Sequence, residues 1–250
     1  MPRIDLNCDL GEGAGHDGGL MALITSASIA CGGHAGDEAT MRATVKLAIK
    51  HGVVIGAHPG FADREHFGRR ELALPPGEIV ELVQTQVRAL QKVAAEEGAA
   101  VRYVKTHGAL YNLAARMPVV ADAIARAVAD LGGVDGGLAL YGLSGGELLR
   151  AGRAQGLVVK GEVFADRTYQ RDGSLTPRGQ SDALIEDETR AVAQVLLMIR
   201  EGCVQTVDGG VADVSADTLC LHGDGANPVA FARGVCVALR REGVDVRSCV

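Results

Sequence analysis

Short apolar runs alternate with longer amphipathic stretches from one end of this chain to the other, and that alternation restricts the fold more than any other feature. Candidate strands are Ile4–Cys8, Ser28–Cys31, Val53–Ala57, Val101–Thr106, Leu138–Tyr141, Val158–Phe164 and Leu219–Leu221. Between them lie helix-like segments at Asp37–His51, Pro76–Glu97, Pro118–Leu131, Gly146–Ala154, Asp187–Glu201 and Asn227–Glu242. Asp37 stands in a capping position ahead of Met41 and Val45, and Pro76 suits a first helical turn. Gly52, Gly98 and Gly202 follow helical patterns, where a left-handed residue ends a helix. Strand, helix, strand in succession demands parallel pairing, because each parallel neighbour needs a crossover connection. Seven such units with no break in composition predict one domain over Met1–Val250. The expected fold class is α/β, a single TIM-like (β/α) barrel of about seven parallel strands, and the chain length matches the usual ~250 residues. An open doubly wound sheet is the alternative, but it commonly carries GxGxxG after its first strand, where Leu6–Gly13 reads acidic.

Composition narrows the function. The net charge of −6 offers no basic stripe for phosphates, which argues against nucleic acid as a partner. No apolar run approaches the ~20 residues of a membrane helix, and Val195–Ile199 is bounded by Gln194 and Arg200. Asp5, Asp9 and Glu12 interrupt any signal-peptide pattern, so a cytoplasmic protein without a membrane partner is expected. The six cysteines form no CxxC pair, which reads as buried thiols in a reducing compartment rather than disulfides or a zinc cluster. With 3% aromatic residues and no Trp, the core has to be built from Ala, Val, Leu and Ile. Val204–Asp213 reads as a small hairpin around Asp208-Gly209. The long non-helical stretches Gly60–Pro75 and Asp166–Asp187 are expected to be functional, as loops of that length usually are.

The chemistry clusters at strand ends. His34, His58, His107 and His222 each sit just past a candidate strand beside Gly or Pro, and the carboxyl ends of parallel strands form the active-site rim. Alternation then orients side chains: Asp5, Asn7 and Asp9 share one face of the first strand, whereas Ile4, Leu6 and Cys8 share the other. Lys105 and His107 are in phase with Tyr103, and Lys160 with Glu162, with Asp166 just beyond. Cys220 is in phase with His222, followed by Asp224. Such a polar face is unusual in a barrel interior. Read structurally, it is a buried ion network joining Lys105 to Asp5 or Glu162. Read functionally, it is a catalytic rim, where buried charges concentrate.

The expected catalytic set is Asp9, His58, Lys105, His107, Glu162 and His222. Asn7, Glu12, His34, Asp166, Arg167 and Asp224 are the expected substrate-binding residues. The loop opened by Asp166-Arg167 suits a small carboxylate or phosphate, because guanidinium matches those groups bidentately. Asp9, His58 and His107 would also serve a divalent metal with an open position, so the residues leave open whether a metal is bound. No GxxxxGK[ST] loop, GxSxG elbow, HExxH pair or EF-hand loop occurs, so a self-contained P-loop ATPase is excluded. Ser144 in Gly142–Gly145 is expected to be a turn residue.

These segments resemble the LamB/YcsF family, generally read as the A subunits of bacterial 5-oxoprolinases. The carrying residues are Asp5–Gly13, Ile29–Asp37, Gly56–Phe61, Phe67–Arg70, Val104–Asn112, Glu162–Tyr169, Leu175–Gly179 and Ala216–Asp224, in order along nearly the whole chain. The resemblance implies a barrel related to the glycoside hydrolase and sugar deacetylase barrels. It implies ATP-dependent opening of 5-oxo-L-proline to L-glutamate, with ATP consumed by a complex containing two partner subunits of the B and C types. A homo-oligomer stays open. In that setting Asp9 with His58 or His107 would activate water, Lys105 and His222 would stabilise the oxygen, and Arg167 would hold the substrate carboxylate. The competing readings are a metal-dependent deacetylase-type hydrolase and a non-catalytic subunit that only binds and delivers the lactam.

Overall fold

The first strand runs Arg3–Leu10 (β1), and its burial shows why the sheet curls around it. Ile4, Leu6, Cys8 and Leu10 pack into the apolar core, while Asp5 and Asn7 are equally buried on the opposite face. A strand with apolar and polar faces both buried needs helices on one side and an enclosed polar interior on the other. The computed structural model, which describes residues 2–132, 137–221 and 227–250, has that arrangement.

β1 is followed by α1 (Asp17–Met21), β2 (Ser26–Ala30), α2 (Glu38–His51), β3 (Val54–His58), a 3-10 turn at Arg64–His66, and α3 (Pro76–Glu96). Next come β4 (Val101–Lys105), α4 (Gly108–Arg116), α5 (Pro118–Leu131), β5 (Ala139–Leu143), α6 (Glu147–Ala154) and β6 (Val159–Phe164). The chain ends with α7 (Glu188–Glu201), β7 (Cys203–Gln205), β8 (Val211–Asp213), β9 (Thr218–Leu221), α8 (Pro228–Arg241) and β10 (Asp245–Val246). β1 to β6 pair in order, all parallel, and β9 pairs with β6 on one side and β1 on the other. The sheet is therefore a closed barrel of seven parallel strands. Closure rules out the open doubly wound sheet. β10 extends the outer edge of β1, pairing Arg3 with Asp245.

Local signals explain the helix ends. The Asp37 carboxylate accepts from the Thr40 N–H at 2.8 Å, and Asp187 does the same for Arg190 at 2.7 Å. Gly52 and Gly202 close α2 and α7 in the left-handed conformation. β7 and β8 form the expected antiparallel hairpin, with Asp208 accepting from Gly210 N–H inside its turn. Several strands are offset from expectation. β3 includes His58, so its imidazole leaves the strand itself, in phase with Gly56. α4, missed by the sequence reading, begins directly after His107.

The inner end of the barrel is plugged by aromatic rings and hydroxyls. Tyr103 and Tyr141 stack at 4.0 Å between centroids, and a Cβ at Gly56 would lie 2.1 Å from the Tyr103 ring. Glycine there makes the plug possible. Asp5 lies beneath, fully buried, accepting from Thr25 (2.6 Å), Ser26 (2.7 Å), Thr218 (2.6 Å) and Tyr141 (3.3 Å). Asp5 is therefore caged by hydroxyls and is not the partner of Lys105. Burial nevertheless pushes its carboxyl pKa up, the four hydroxyls opposing. The six cysteines are free, and no helix among the described residues is long and apolar enough to cross a membrane.

Candidate active site

One layer above Asp5, β4 projects Lys105 into the barrel, 2% exposed. Its ammonium lies 2.8 Å from Asp9 Oδ1, 2.8 Å from Glu162 Oε1, 2.8 Å from Asn7 Oδ1 and 3.2 Å from Cys220 Sγ. β1, β6 and β9 thus all converge on one cation. Burial opposes the charge on Lys105, but Asp9, Cys220 and Glu162 outweigh it and hold its pKa well above the ordinary lysine value. Asn7 completes the layer by donating to Glu162 Oε1 and Thr218 Oγ1, both at 2.9 Å.

Above this layer three imidazoles meet. His58 Nδ1 lies 2.7 Å from the Lys105 carbonyl oxygen, and His107 Nε2 lies 2.9 Å from the Phe67 carbonyl oxygen. A carbonyl only accepts, so both of those nitrogens carry protons. The remaining nitrogens, His58 Nε2 and His107 Nδ1, are 2.9 Å apart. Two neutral rings would point lone pairs at each other across that gap, so a positive species has to lie there. A proton on His58 satisfies it: burial disfavours the imidazolium, but Asp9, whose Oδ2 is 3.3 Å away, reverses the balance and raises the His58 pKa. A metal ion would satisfy the same geometry.

Glu12 Oε1 sits within 3.0 Å of His34 Nε2, 3.3 Å of His107 Nδ1 and 3.8 Å of His58 Nε2. One ligand atom each from Glu12, His34, His58 and His107 falls within 4.8 Å of the others. Three nitrogens and one carboxylate oxygen are a suitable donor set for zinc or a similar divalent ion. This group differs from the Asp9–His58–His107 triad that the sequence offered as an alternative, with Asp9 standing beside it, bridging His58 and Lys105. His34 stacks on His107 at 3.7 Å and 4°. Burial, then the His58 charge, lowers both the His34 and His107 pKa values to about 3, so both rings are neutral at pH 7. Burial, then Asp9, raises the Glu12 pKa.

The loops after β3 and β4 are held to this geometry. Gln86 of α3 grips Gly60 from both sides, accepting from its N–H at 3.1 Å and donating to its carbonyl at 2.7 Å. A Cβ at Gly60 would lie 2.8 Å from His34 Nδ1, so the backbone passes where a side chain would displace the ring. Phe67 takes a left-handed conformation (φ 54°) to aim its carbonyl at His107.

The rim opens into a cavity of about 710 Å³ floored by Asp9, Glu12, His58, Lys105 and His107. The loop after β6 forms the opposite wall through Arg167, Thr176 and Arg178. Arg167 is 6% exposed and donates to the carbonyls of Ala183 (3.3 Å) and Thr176 (2.6 Å). Asp166 is half-buried and does not line the cavity. His222 and Asp224 lie outside the described residues. Ser144 is a buried turn residue that accepts from Ser215 N–H at 2.6 Å. Sequence reasoning missed Gln86, Thr106, Tyr111 and Thr176. The helical spacing of Leu110, Leu113 and Ala114 was the available signal for Tyr111.

A model of the LamB/YcsF family matches residues 4–250. The chain belongs to the LamB/YcsF family. Its relatives include the A subunit of 5-oxoprolinase from Bordetella pertussis (strain Tohama I), 52% identical and covering 99% of each chain. Among solved structures, a lactam utilization protein from Thermus thermophilus superposes with a TM-score of 0.90 at 43% identity, covering 98% of this chain and 99% of that one. A T48 deacetylase with substrate matches at TM-score 0.52 and 14% identity, covering 99% of this chain and 88% of that chain. That likeness concerns the barrel fold alone.

Proposed function

We infer that this chain is the A-type component of a multi-subunit 5-oxoprolinase that opens 5-oxo-L-proline to L-glutamate at the expense of ATP. The observation that carries the reading is Lys105, held between Asp9 and Glu162 on the floor of an open cavity, in a chain that matches the A-type component of a 5-oxoprolinase over its whole length.

Lactam hydrolysis needs a deprotonated water, a stabilised oxygen and a proton for the departing nitrogen. Asp9 and Glu12 face the cavity as candidate bases. Burial raises the affinity of Glu12 for a proton, which strengthens it as a base, whereas the low pKa of His107 makes it a weak one. Asp9, backed by His58, is the second candidate. Lys105 supplies positive charge for the developing oxygen anion, and Arg167 holds the substrate carboxylate. A five-membered lactam is unstrained and a poor electrophile, so phosphorylation of its oxygen activates the ring. With no P-loop in this chain, partner subunits of the B and C types perform or complete that step. A cytoplasmic site of action accords with the ATP requirement.

The imidazole geometry favours one further element, a divalent ion held by Glu12, His34, His58 and His107. Such an ion would polarise a carbonyl or a bound water. The decisive experiment mixes the partner subunits with ATP and 5-oxoproline, with and without this chain, and measures glutamate. The reading expects glutamate only in the full mixture, and its loss with Asp9→Ala or His107→Ala. Full-rate glutamate from the partners alone would make this chain a carrier or a bystander.

A further inference from the structure

The buried face of α3 is apolar from Ile79 to Ala94 except for one amide, Gln86, at 8% exposure. A leucine would fill that core position at no cost in hydrogen bonding, so the amide needs a reason. Both of its polar atoms are spent on Gly60, past the end of β3: Oε1 accepts from the N–H at 3.1 Å and Nε2 donates to the carbonyl at 2.7 Å. A Cβ at Gly33, the residue before His34, would lie 2.5 Å from Oε1, so the amide also packs on the loop after β2. Pro59, next to Gly60, accepts the His107 N–H on its carbonyl at 2.8 Å. One side chain thus reaches the loops of three of the four clustered residues. The imidazoles do not depend on it equally. His58 and His107 are each oriented by a carbonyl oxygen, whereas His34 has only Glu12, at 3.0 Å from Nε2. His34 Nδ1 is buried and makes no hydrogen bond among the described residues. Its ring plane is therefore set by its walls. Those walls are His107, stacked at 3.7 Å, and the Gly60 backbone, where a Cβ would lie 2.8 Å from Nδ1.

We propose that Gln86 is a positioning residue for the imidazole cluster: its amide, reaching in from α3, fixes the Pro59-Gly60 backbone that aligns His34 and His107. Without it, the Gly60 N–H and carbonyl would be buried and unpaired, and the loop would move to satisfy them. The rings resting on that loop would move with it, and small displacements of functional groups are costly in rate. The kinetic consequence rests on the lactam-hydrolase reading above; the alignment of the rings does not.

Gln86→Met keeps the length of the side chain and removes both bonds to Gly60. Gln86→Glu keeps acceptance from the N–H and loses donation to the carbonyl, and it carries the test if the Met variant fails to fold. Leu90→Ala, one turn along the same face, is the control, because it opens a cavity under α3 and leaves Gly60 untouched. In the reconstituted complex, the Gln86 variants are expected to lose about ten- to a hundredfold in kcat for glutamate formation, with KM for 5-oxoproline little changed. Leu90→Ala should lower Tm and keep the wild-type kcat. Zinc affinity of the isolated chain, measured against a chromophoric chelator, should fall by a similar factor in the Gln86 variants alone. Should the wild-type chain take up no zinc, its imidazole signals in 15N NMR decide: those of His34 and His107 should shift in the Gln86 variants and stay in place in Leu90→Ala. Wild-type kcat with unshifted imidazole signals would overturn the proposal. So would a loss confined to KM, or equal losses in Leu90→Ala, which would reduce Gln86 to a packing residue. A wild-type complex that makes no glutamate, with ring shifts still confined to the Gln86 variants, would sink the hydrolase reading and leave the positioning role standing.

Discussion

Replacing Lys105 by Met tests whether the central cation organises the barrel as well as the chemistry. Met retains most of the buried stem and removes the charge, leaving Asp9 and Glu162 facing a common gap. At 2.8 Å and an effective dielectric near 20, each carboxylate attracts the ammonium by about 6 kcal/mol before desolvation is counted. Desolvation offsets much of that in the wild type, but removing one partner leaves the other charges buried. The expected net loss is about 3–5 kcal/mol. For a chain of this size that corresponds to a fall in Tm of about 6–20 °C at pH 7. The sign with pH follows from linkage. In the variant, the stranded carboxylates have folded pKa values above their unfolded ones. Stability is then fully present below the unfolded carboxylate pKa near 4 and is lost as pH rises through the folded values. The deficit should therefore shrink from pH 7 to pH 5. Thermal and urea unfolding of Lys105→Met, Glu162→Gln and the double variant at both pH values measures this. The double variant should be more stable than Lys105→Met alone, since it removes the unpaired charge. A variant as stable as wild type at pH 7, or a deficit indifferent to pH, would refute the ion triad as a structural element.

Gly60→Ala puts a methyl group 2.8 Å from His34 Nδ1 and 3.1 Å from His107 Cβ, at a cost of about 1–3 kcal/mol in stability. Its imidazole NMR signals should shift and glutamate formation should fall, whereas an unperturbed histidine spectrum would show that the loop accommodates the methyl. Protein purified without added metal is expected to carry close to one equivalent of divalent ion by elemental analysis, and chelation should release it. His34→Ala should weaken retention. Metal-free protein with full, chelator-resistant activity would leave the proton on His58 as the species between the two rings.

The acidic Glu12 and the neutral His34 and His107 also explain how so many titratable groups share one small volume. Each is held in the form its neighbours tolerate. Lys105 supplies one positive charge and the cation between His58 and His107 the other; Asp9 touches both Lys105 and His58. Such mutual dependence means that single substitutions here will perturb the protonation of the others, and pH profiles will report the cluster as a unit.

What the chain alone determined was local and periodic. Alternation in β1 separated Asp5, Asn7 and Asp9 from the core face, and the same period put Lys105 in phase with His107. Those regularities follow from backbone geometry, so they survive without knowledge of neighbours. Recurrent helix patterns between strands likewise required parallel pairing. Tertiary structure decided the rest. Barrel closure brought β9 against β1 and placed Thr218 over Asp5, so Lys105 took Asp9 and Glu162 as partners instead. Carbonyls of Lys105 and Phe67 set the imidazole tautomers, and packing buried the Thr106 and Thr176 hydroxyls without a hydrogen-bond partner. Tautomer, charge state and unsatisfied donors depend on burial and on partners distant in sequence. No pattern along the chain encodes them directly.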